Sequence, residues 1–68
     1  MLENDKNLIV VATVEGYSSR HHMPAGKVFD LFKENHIIEL LRSQYAVLHT
    51  QSIFEGVTFA EDILARRR

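Results

Sequence analysis

Apolar residues recur at helical spacing in three stretches of the chain and again, more briefly, near its end. The first stretch predicts a helix over residues 7–18. Its apolar positions share one helical face and comprise Val10, Val14 and Tyr17, widened by Leu8 and Val11. The β-branched residues in this stretch leave a β-strand open as the alternative. Because strict polar alternation is missing, we favour the helix.

Two further apolar stripes predict helices on either side of a polar hinge. Proline is suited to the first position of a helix because its missing N–H needs no partner there, so Pro24 places the second helix at residues 24–35. Asn35-His36 is the expected break, since Asn tolerates the left-handed conformation. The third helix begins at Ile37, is apolar over much of its circumference, and is expected to end within residues 49–52.

The last part of the chain predicts a loop followed by a fourth helix. Residues 53–57 contain Gly56 and indicate a loop with two apolar anchors. Thr58 and Glu61 have the spacing of a capping box, so the last helix is expected to begin at Thr58. The predicted fold class is all-α, a compact bundle of about four short helices. Phe32 and Leu41 are expected nearest its centre.

Length and composition indicate one small domain. The 68 residues are expected to form a single helical domain, with flexible ends at residues 1–6 and 66–68. There is no cysteine, which excludes disulfides and thiolate zinc sites and favours an intracellular setting. The longest apolar run is far short of the about 20 residues that span a bilayer, and the N-terminus has no signal-peptide pattern. We therefore expect a cytoplasmic protein without a membrane partner.

The charge balance disfavours nucleic acid as a partner. Eight Lys and Arg stand against nine Asp and Glu, and three of the basic residues are confined to the last positions, 66–68. Phosphate binding draws on clustered basic residues. A helix-turn-helix remains the alternative, with the second and third helices as the pair and Arg42, Ser43 and Gln44 offered to base edges. Against it, residues 37–41 are apolar and acidic where a recognition helix should be polar and basic.

The candidate reactive residues form no catalytic or metal-binding pattern. Zinc requires three or four converging ligands, usually including a close pair such as i, i+4 on a helix. The four histidines are adjacent or far apart, at positions 21, 22, 36 and 49. The serines lack the strained strand-to-helix turn of an activated nucleophile, and the carboxylates fall on predicted solvated faces. We expect no enzyme activity, no cofactor and no metal.

One patch of the third helix is a candidate binding surface. Tyr45, Leu48 and His49 are spaced i, i+3 and i+4, so they share one helical face. An aromatic ring beside an imidazole is typical of protein interfaces, and the neighbouring Ile53 and Phe54 extend the patch. These five residues are the predicted partner-binding site. The structural alternative stays open: Tyr45 and Leu48 in the core, and His49 as a helix cap.

Several runs of residues together resemble a small bacterial family of unknown function. They are Val-Phe-Asp-Leu-Phe-Lys at residues 28–33, Tyr-Ala-Val-Leu-His-Thr-Gln at 45–51 and Glu-Asp-Ile at 61–63, and the similarity covers about residues 9–64. The chain departs from the pattern at Pro24, where a serine cap is usual, and at Asn35-His36, which replaces an aromatic-glycine ending. Members of this family are short helical proteins encoded beside ADP-ribosyltransferase-like or other toxin genes. The resemblance therefore implies an antitoxin or accessory role.

The expected function is a non-enzymatic protein-binding module. We expect an antitoxin-like partner that neutralises a cognate toxin, ADP-ribosyltransferase-like, by binding it directly. The alternative is a small DNA-binding transcriptional regulator of helix-turn-helix type. Self-assembly into a homo-oligomer is a third expectation, because a chain this short often completes its core against another chain.

Overall fold

Five α-helices follow one another in the computed structural model, which describes residues 2–48 and 53–67 and the side chains of residues 6–48 and 55–67. They are α1 (Leu2–His21), α2 (Ala25–Glu34), α3 (Ile37–Ser43), α4 (Tyr45–Leu48) and α5 (Ile53–Arg66). No strand occurs in these ranges. The all-α prediction is confirmed, and the strand alternative for the first apolar stretch is wrong within the described residues.

Helix α1 is the central element of the bundle. It contacts each of the other four helices and packs most extensively against α5. The predicted face formed by Val10, Val14 and Tyr17 is buried, together with Thr13. Leu8 and Val11 were expected to widen that face, but they are 64% and 51% exposed. On a helix that turns about 100° per residue, Leu8 lies opposite the buried face and Val11 lies at its flank, about 100° from Val10.

The core forms where α1, α2, α3 and α5 meet. Phe32 and Leu41, the residues predicted nearest the centre, are both fully buried, as is Ile37. The rings of Tyr17 and Phe32 are nearly perpendicular, with their centroids 5.2 Å apart. Such a perpendicular aromatic pair contributes about 0.5–1.5 kcal/mol beyond the burial of its area.

Two histidines adopt the left-handed conformation that ends a helix. His22 has φ 54° and follows α1, whose last turn is closed by a 3.1 Å bond from Met23 N to Ser18 O. His36 has φ 60° and separates α2 from α3, with its N–H bound to Lys33 O at 3.3 Å. The break predicted at Asn35-His36 is confirmed, but His36 takes the left-handed conformation rather than Asn35.

The third predicted helix is divided in two, which corrects its expected extent. Ser43 Oγ donates to the carbonyl of Leu40 at 2.8 Å, and Gln44 leaves the helical region with φ −98° and ψ 12°. A serine side chain that bonds a nearby carbonyl competes with the backbone ladder. α4 restarts immediately, since Leu48 N donates to Gln44 O at 2.9 Å. The predicted end at residues 49–52 lies outside the described residues.

Helix α5 begins earlier than predicted, so the capping box at Thr58 is wrong. Residues 53–57 are helical rather than a loop, and Thr58 is an exposed position inside the helix. Val57 and Ala60 are buried in the core, and Gly56 packs against Thr13 of α1. Burial of this face against α1 outweighs the helix penalty of about 1 kcal/mol for an interior glycine.

Candidate interaction groove

A groove runs between the α3–α4 segment and α5. It consists of two adjoining depressions of about 250 and 370 Å³ that share Gln44 and Phe59. We name it the α3–α5 groove, and its lining residues are Leu40, Gln44, Val47, Leu48, Glu55, Thr58, Phe59, Asp62, Ile63, Arg66 and Arg67. The groove exists because α3, α4 and α5 all pack on α1 and leave a furrow where their outer edges meet.

The floor of the groove is apolar, and its ends carry opposite charges. Phe59 and Ile63 are half-buried against the core, and Val47 at the edge is 53% exposed. Glu55 and Asp62 line the first depression, whereas Arg66 and Arg67 line the second. An apolar centre with a charged rim is the common anatomy of a protein interface.

Arg67 also ties the basic end of the groove to the hinge between α2 and α3. Its Nη1 donates to the carbonyl of Asn35. That carbonyl lies just past the end of α2, where backbone acceptors have lost their helical partners. The hydrogen bond holds the end of α5 against the hinge.

Of the five predicted site residues, the structure describes the side chains of Tyr45 and Leu48, and only Leu48 of these two lines the groove. Tyr45 is half-buried on α4, and Leu48 is 8% exposed and belongs to the core. Leu48 therefore supports the groove from below rather than presenting a free side chain. His49 lies outside the described residues. The backbones of Ile53 and Phe54 form the start of α5, and their side chains lie outside the described residues.

Sequence reasoning missed Val47, Phe59 and Ile63 as surface residues of the groove. Phe59 and Ile63 are spaced i, i+4, which places them on one face of any helix containing both. This spacing can be read from the sequence, but the sequence does not show which edge of that helical face remains exposed to solvent. Val47 is 53% exposed, whereas the adjacent Leu48 is buried.

A second polar cluster joins the end of α1 to α5. The Glu61 carboxylate accepts from Arg20 Nη1 at 2.8 Å and lies 2.6 Å from His21 Nε2. The His21 ring stacks on Tyr17 with centroids 4.0 Å apart. All these groups are satisfied within the chain, so the cluster acts as a tie between helices.

A hydrogen-bonded pair of side chains lies at the hinge between α2 and α3. His36 Nδ1 lies 3.0 Å from Glu39 Oε2, one turn into α3. This hydrogen bond lowers the pKa of the Glu39 carboxyl below its ordinary value. Both side chains are well exposed. Within residues 2–48 and 53–67 no group of three or more His, Asp or Glu converges on a metal-sized site.

Two of the three residues offered to DNA in the helix-turn-helix alternative make side-chain hydrogen bonds inside the chain. Arg42 Nη1 donates to Asn7 Oδ1, and Ser43 Oγ bonds the Leu40 carbonyl. Gln44 lines the groove. α3 spans 7 residues and buries Ile37 and Leu41.

The fold is a small all-α bundle with a groove of apolar floor between the α3–α4 segment and α5. A family described as "Protein of unknown function (DUF3791)" matches residues 9–67, and the chain belongs to that family. No curated protein and no solved structure is significantly similar to the chain. No helix within the described ranges has both the length and the apolar content needed to cross a membrane.

Proposed function

We propose that the protein is a cytoplasmic, non-enzymatic binding module that neutralises a cognate toxin by occluding its working surface. The toxin class implied by the sequence resemblance is an ADP-ribosyltransferase-like protein. The observation that carries the proposal is the α3–α5 groove, with exposed Val47 beside a half-buried apolar floor. The Tyr45–Leu48 helix, where the sequence predicted contacts, forms one wall of this groove.

The groove suits a helix or loop of the toxin that presents a few apolar side chains. Helix-in-groove recognition uses apolar anchors at i, i+3 or i+4 and i+7. Val47, Phe59 and Ile63 supply the matching apolar contacts, and the charged rim fixes orientation. Truncating a central interface side chain usually costs more binding energy than changing a rim charge.

Two substitutions of the same type separate binding from folding. Val47→Asp places a carboxylate in the groove at a position that is 53% exposed, and Val11→Asp places one on α1, outside the groove, at a position that is 51% exposed. Because both sites are similarly open, we expect both variants to fold. Only Val47→Asp should lose the partner, by about 10-fold or more in affinity.

The experiment co-expresses each variant with the product of the neighbouring gene and measures growth and co-purification. We expect the parent chain and Val11→Asp to restore growth and to co-purify with the toxin, and Val47→Asp to fail in both. Separate elution of the two parent proteins without growth rescue would refute the proposal. If both variants bound the toxin with equal affinity, the groove would not be part of the interface.

A further inference from the structure

The two depressions of the α3–α5 groove carry charges of opposite sign without mixing them. Among the described residues, the first depression is lined by the acids Glu55 and Asp62 and by no base. The second is lined by the bases Arg66 and Arg67 and by no acid from the same part of the chain. All four side chains are exposed and belong to α5. The groove therefore has an acidic end and a basic end on either side of Phe59, which lines both depressions.

The dipole of α5 accounts for only part of this arrangement. It favours Glu55 in the first turn and Arg66 in the last turn. Asp62 lies in the half of α5 where a negative charge gains nothing from the dipole. An acid four residues before a base can form an ion pair across one helical turn, yet no such pair joins the described residues Asp62 and Arg66. Neither the dipole nor a contact within α5 explains the acid at this position.

We propose that the toxin segment bound in the groove is an amphipathic helix that runs antiparallel to α5, with an acid towards its N-terminus and a base towards its C-terminus. This inference rests on the proposed function and adds the chemistry and the direction of the occupant. The base of the toxin helix contacts Glu55 and Asp62, and its acid contacts Arg66. Helices ordinarily carry acids near the N-terminus and bases near the C-terminus, so such a helix matches the groove only when it is antiparallel to α5.

The spacing of the charges along α5 sets the spacing expected in the toxin helix. Glu55 and Asp62 are two helical turns apart, so a single base can lie between them. The midpoint between these acids is about seven residues, or roughly 11 Å, from Arg66 along α5. Two turns of the toxin helix cover that span, with the acid at i, apolar residues at i+3 and i+4, and the base at i+7. The apolar pair then lies over Phe59.

Arg66, rather than Arg67, is the base to change in a test. Arg67 Nη1 donates to the carbonyl of Asn35 and holds the end of α5 against the hinge. A substitution of Arg67 would therefore alter the fold as well as the groove.

Exchanging one acid and one base of the groove tests the proposal without altering the net charge. Asp62→Lys combined with Arg66→Glu leaves each depression with one acid and one base, and it keeps opposite charges at i, i+4. If these residues served only as solvated surface charges, the exchange would leave toxin binding unchanged. Because the groove loses its two charged ends, we expect the exchange to weaken binding of the purified toxin, the product of the neighbouring gene, by about 5-fold or more.

Asp30→Lys combined with Lys33→Glu is the matched control. It exchanges an acid and a base at exposed positions of α2 that line neither depression. Each exchange places an acid in the last turn of a helix, so both variants bear the same unfavourable interaction with a dipole. The control should bind the toxin as the parent chain does. Circular dichroism shows whether the two variants are folded to the same extent.

Salt provides a second readout of the same contacts. Raising the ionic strength from about 0.1 M to about 1 M screens exposed charges more strongly. The difference in toxin affinity between the parent chain and the groove exchange should therefore become smaller at high salt.

Hydrogen exchange of the toxin, free and bound to the parent chain, identifies the segment that the groove covers. We expect a helix with an acid, an apolar pair and a base in that order from its N-terminus. A protected segment with the opposite order, or without these charges, would overturn the inference.

The failure of this inference can be distinguished from the failure of the proposed function. If the toxin binds the parent chain and not Val47→Asp, but binds the groove exchange as tightly as the control, only the inference about the charged ends is wrong. If the toxin does not bind the parent chain at all, the proposed function is wrong and this inference is wrong with it.

Discussion

Gly56 and Gly26 show how one residue type plays opposite roles in two helices. A Cβ added to Gly56 would lie 2.6 Å from Thr13 Oγ1, whereas one added to Gly26 would meet no heavy atom within 4 Å. Gly56 is therefore required by the close approach of α5 to α1. Gly26 is an exposed position in the first turn of α2, where glycine only adds flexibility to the unfolded chain.

Substituting each glycine by alanine should change stability in opposite directions. Gly56→Ala should lower the free energy of unfolding by about 1–3 kcal/mol, because the core must shift to admit the methyl group. Gly26→Ala should raise it by about 0.4–1 kcal/mol. Urea denaturation followed by circular dichroism measures both.

Thr13→Ala tests whether the clash is the cause. Combined with Gly56→Ala, it removes the atom that the new methyl would meet. The double variant should be more stable than the sum of the two single losses predicts. Strict additivity would mean that Gly56→Ala acts through something other than Thr13.

The boundaries of the elements were set by contacts between helices as much as by local signals. Thr58-x-x-Glu61 has the spacing of a capping box, yet the Glu61 carboxylate is bound by Arg20 and His21 of α1. Glu61 is thus drawn away from the backbone N–H that a capping box requires. The Arg20–Glu61 pair is itself 40% and 27% exposed in its side chains. Screening at that exposure limits it to about 0.2–1 kcal/mol.

Thr58→Ala distinguishes the two descriptions of α5. If Thr58 lies inside the helix, as in the structure, alanine should be neutral or stabilising by up to about 0.7 kcal/mol because of its higher helix propensity. Loss of a genuine cap would cost about 1 kcal/mol instead. Thermal and urea unfolding show whether the substitution raises or lowers the free energy of unfolding. Ala65→Thr, at another exposed position of α5, provides the reverse exchange as a control.

The contact between His36 and Glu39 at the hinge between α2 and α3 leads to a prediction for the pKa of Glu39. Because the hydrogen bond from His36 lowers the pKa of Glu39, this contact favours the folded state above the ordinary carboxyl pKa. The contribution is lost as the pH falls through the lowered folded pKa. NMR titration should find the Glu39 pKa below its ordinary value in the parent chain and close to that value in His36→Gly.

His36→Gly suits this test because glycine adopts a φ of 60° without strain. The fold at the hinge should therefore survive the loss of the imidazole. An unchanged Glu39 pKa in this variant would show that another group lowers it.

On the scale of the whole molecule, stability depends on one small core. Phe32 is fully buried, and Phe29 on the same helix is 44% exposed. Phe32→Ala should cost about 3–5 kcal/mol, most of the stability expected for a domain of this size. Phe29→Ala should stay within about 0.5 kcal/mol of the parent. Similar melting temperatures for the two variants would contradict the core described above.

The candidate site belongs to the same scale, because no single helix contains it. Leu40, Val47 and Phe59 come from α3, α4 and α5, and they line one groove only because these helices share α1 as their support. Sequence periodicity identified Tyr45 and Leu48 as one patch. It could not separate a buried Leu48 from an exposed Val47, because that distinction depends on which neighbour covers the face.

The sequence alone was sufficient for the helical class, the break at Asn35-His36 and the burial of Phe32 and Leu41. Each follows from spacing or from backbone preference within about one or two helical turns. The break at Gln44, the start of α5 and the groove required the tertiary structure. Short-range signals at Gly56 and Thr58 favoured a loop and a cap, and packing against Thr13 and Arg20 of α1 reversed them. A local preference of this kind contributes about 1 kcal/mol. Contacts between residues distant in sequence determine the conformation wherever they stabilise the fold by more than that.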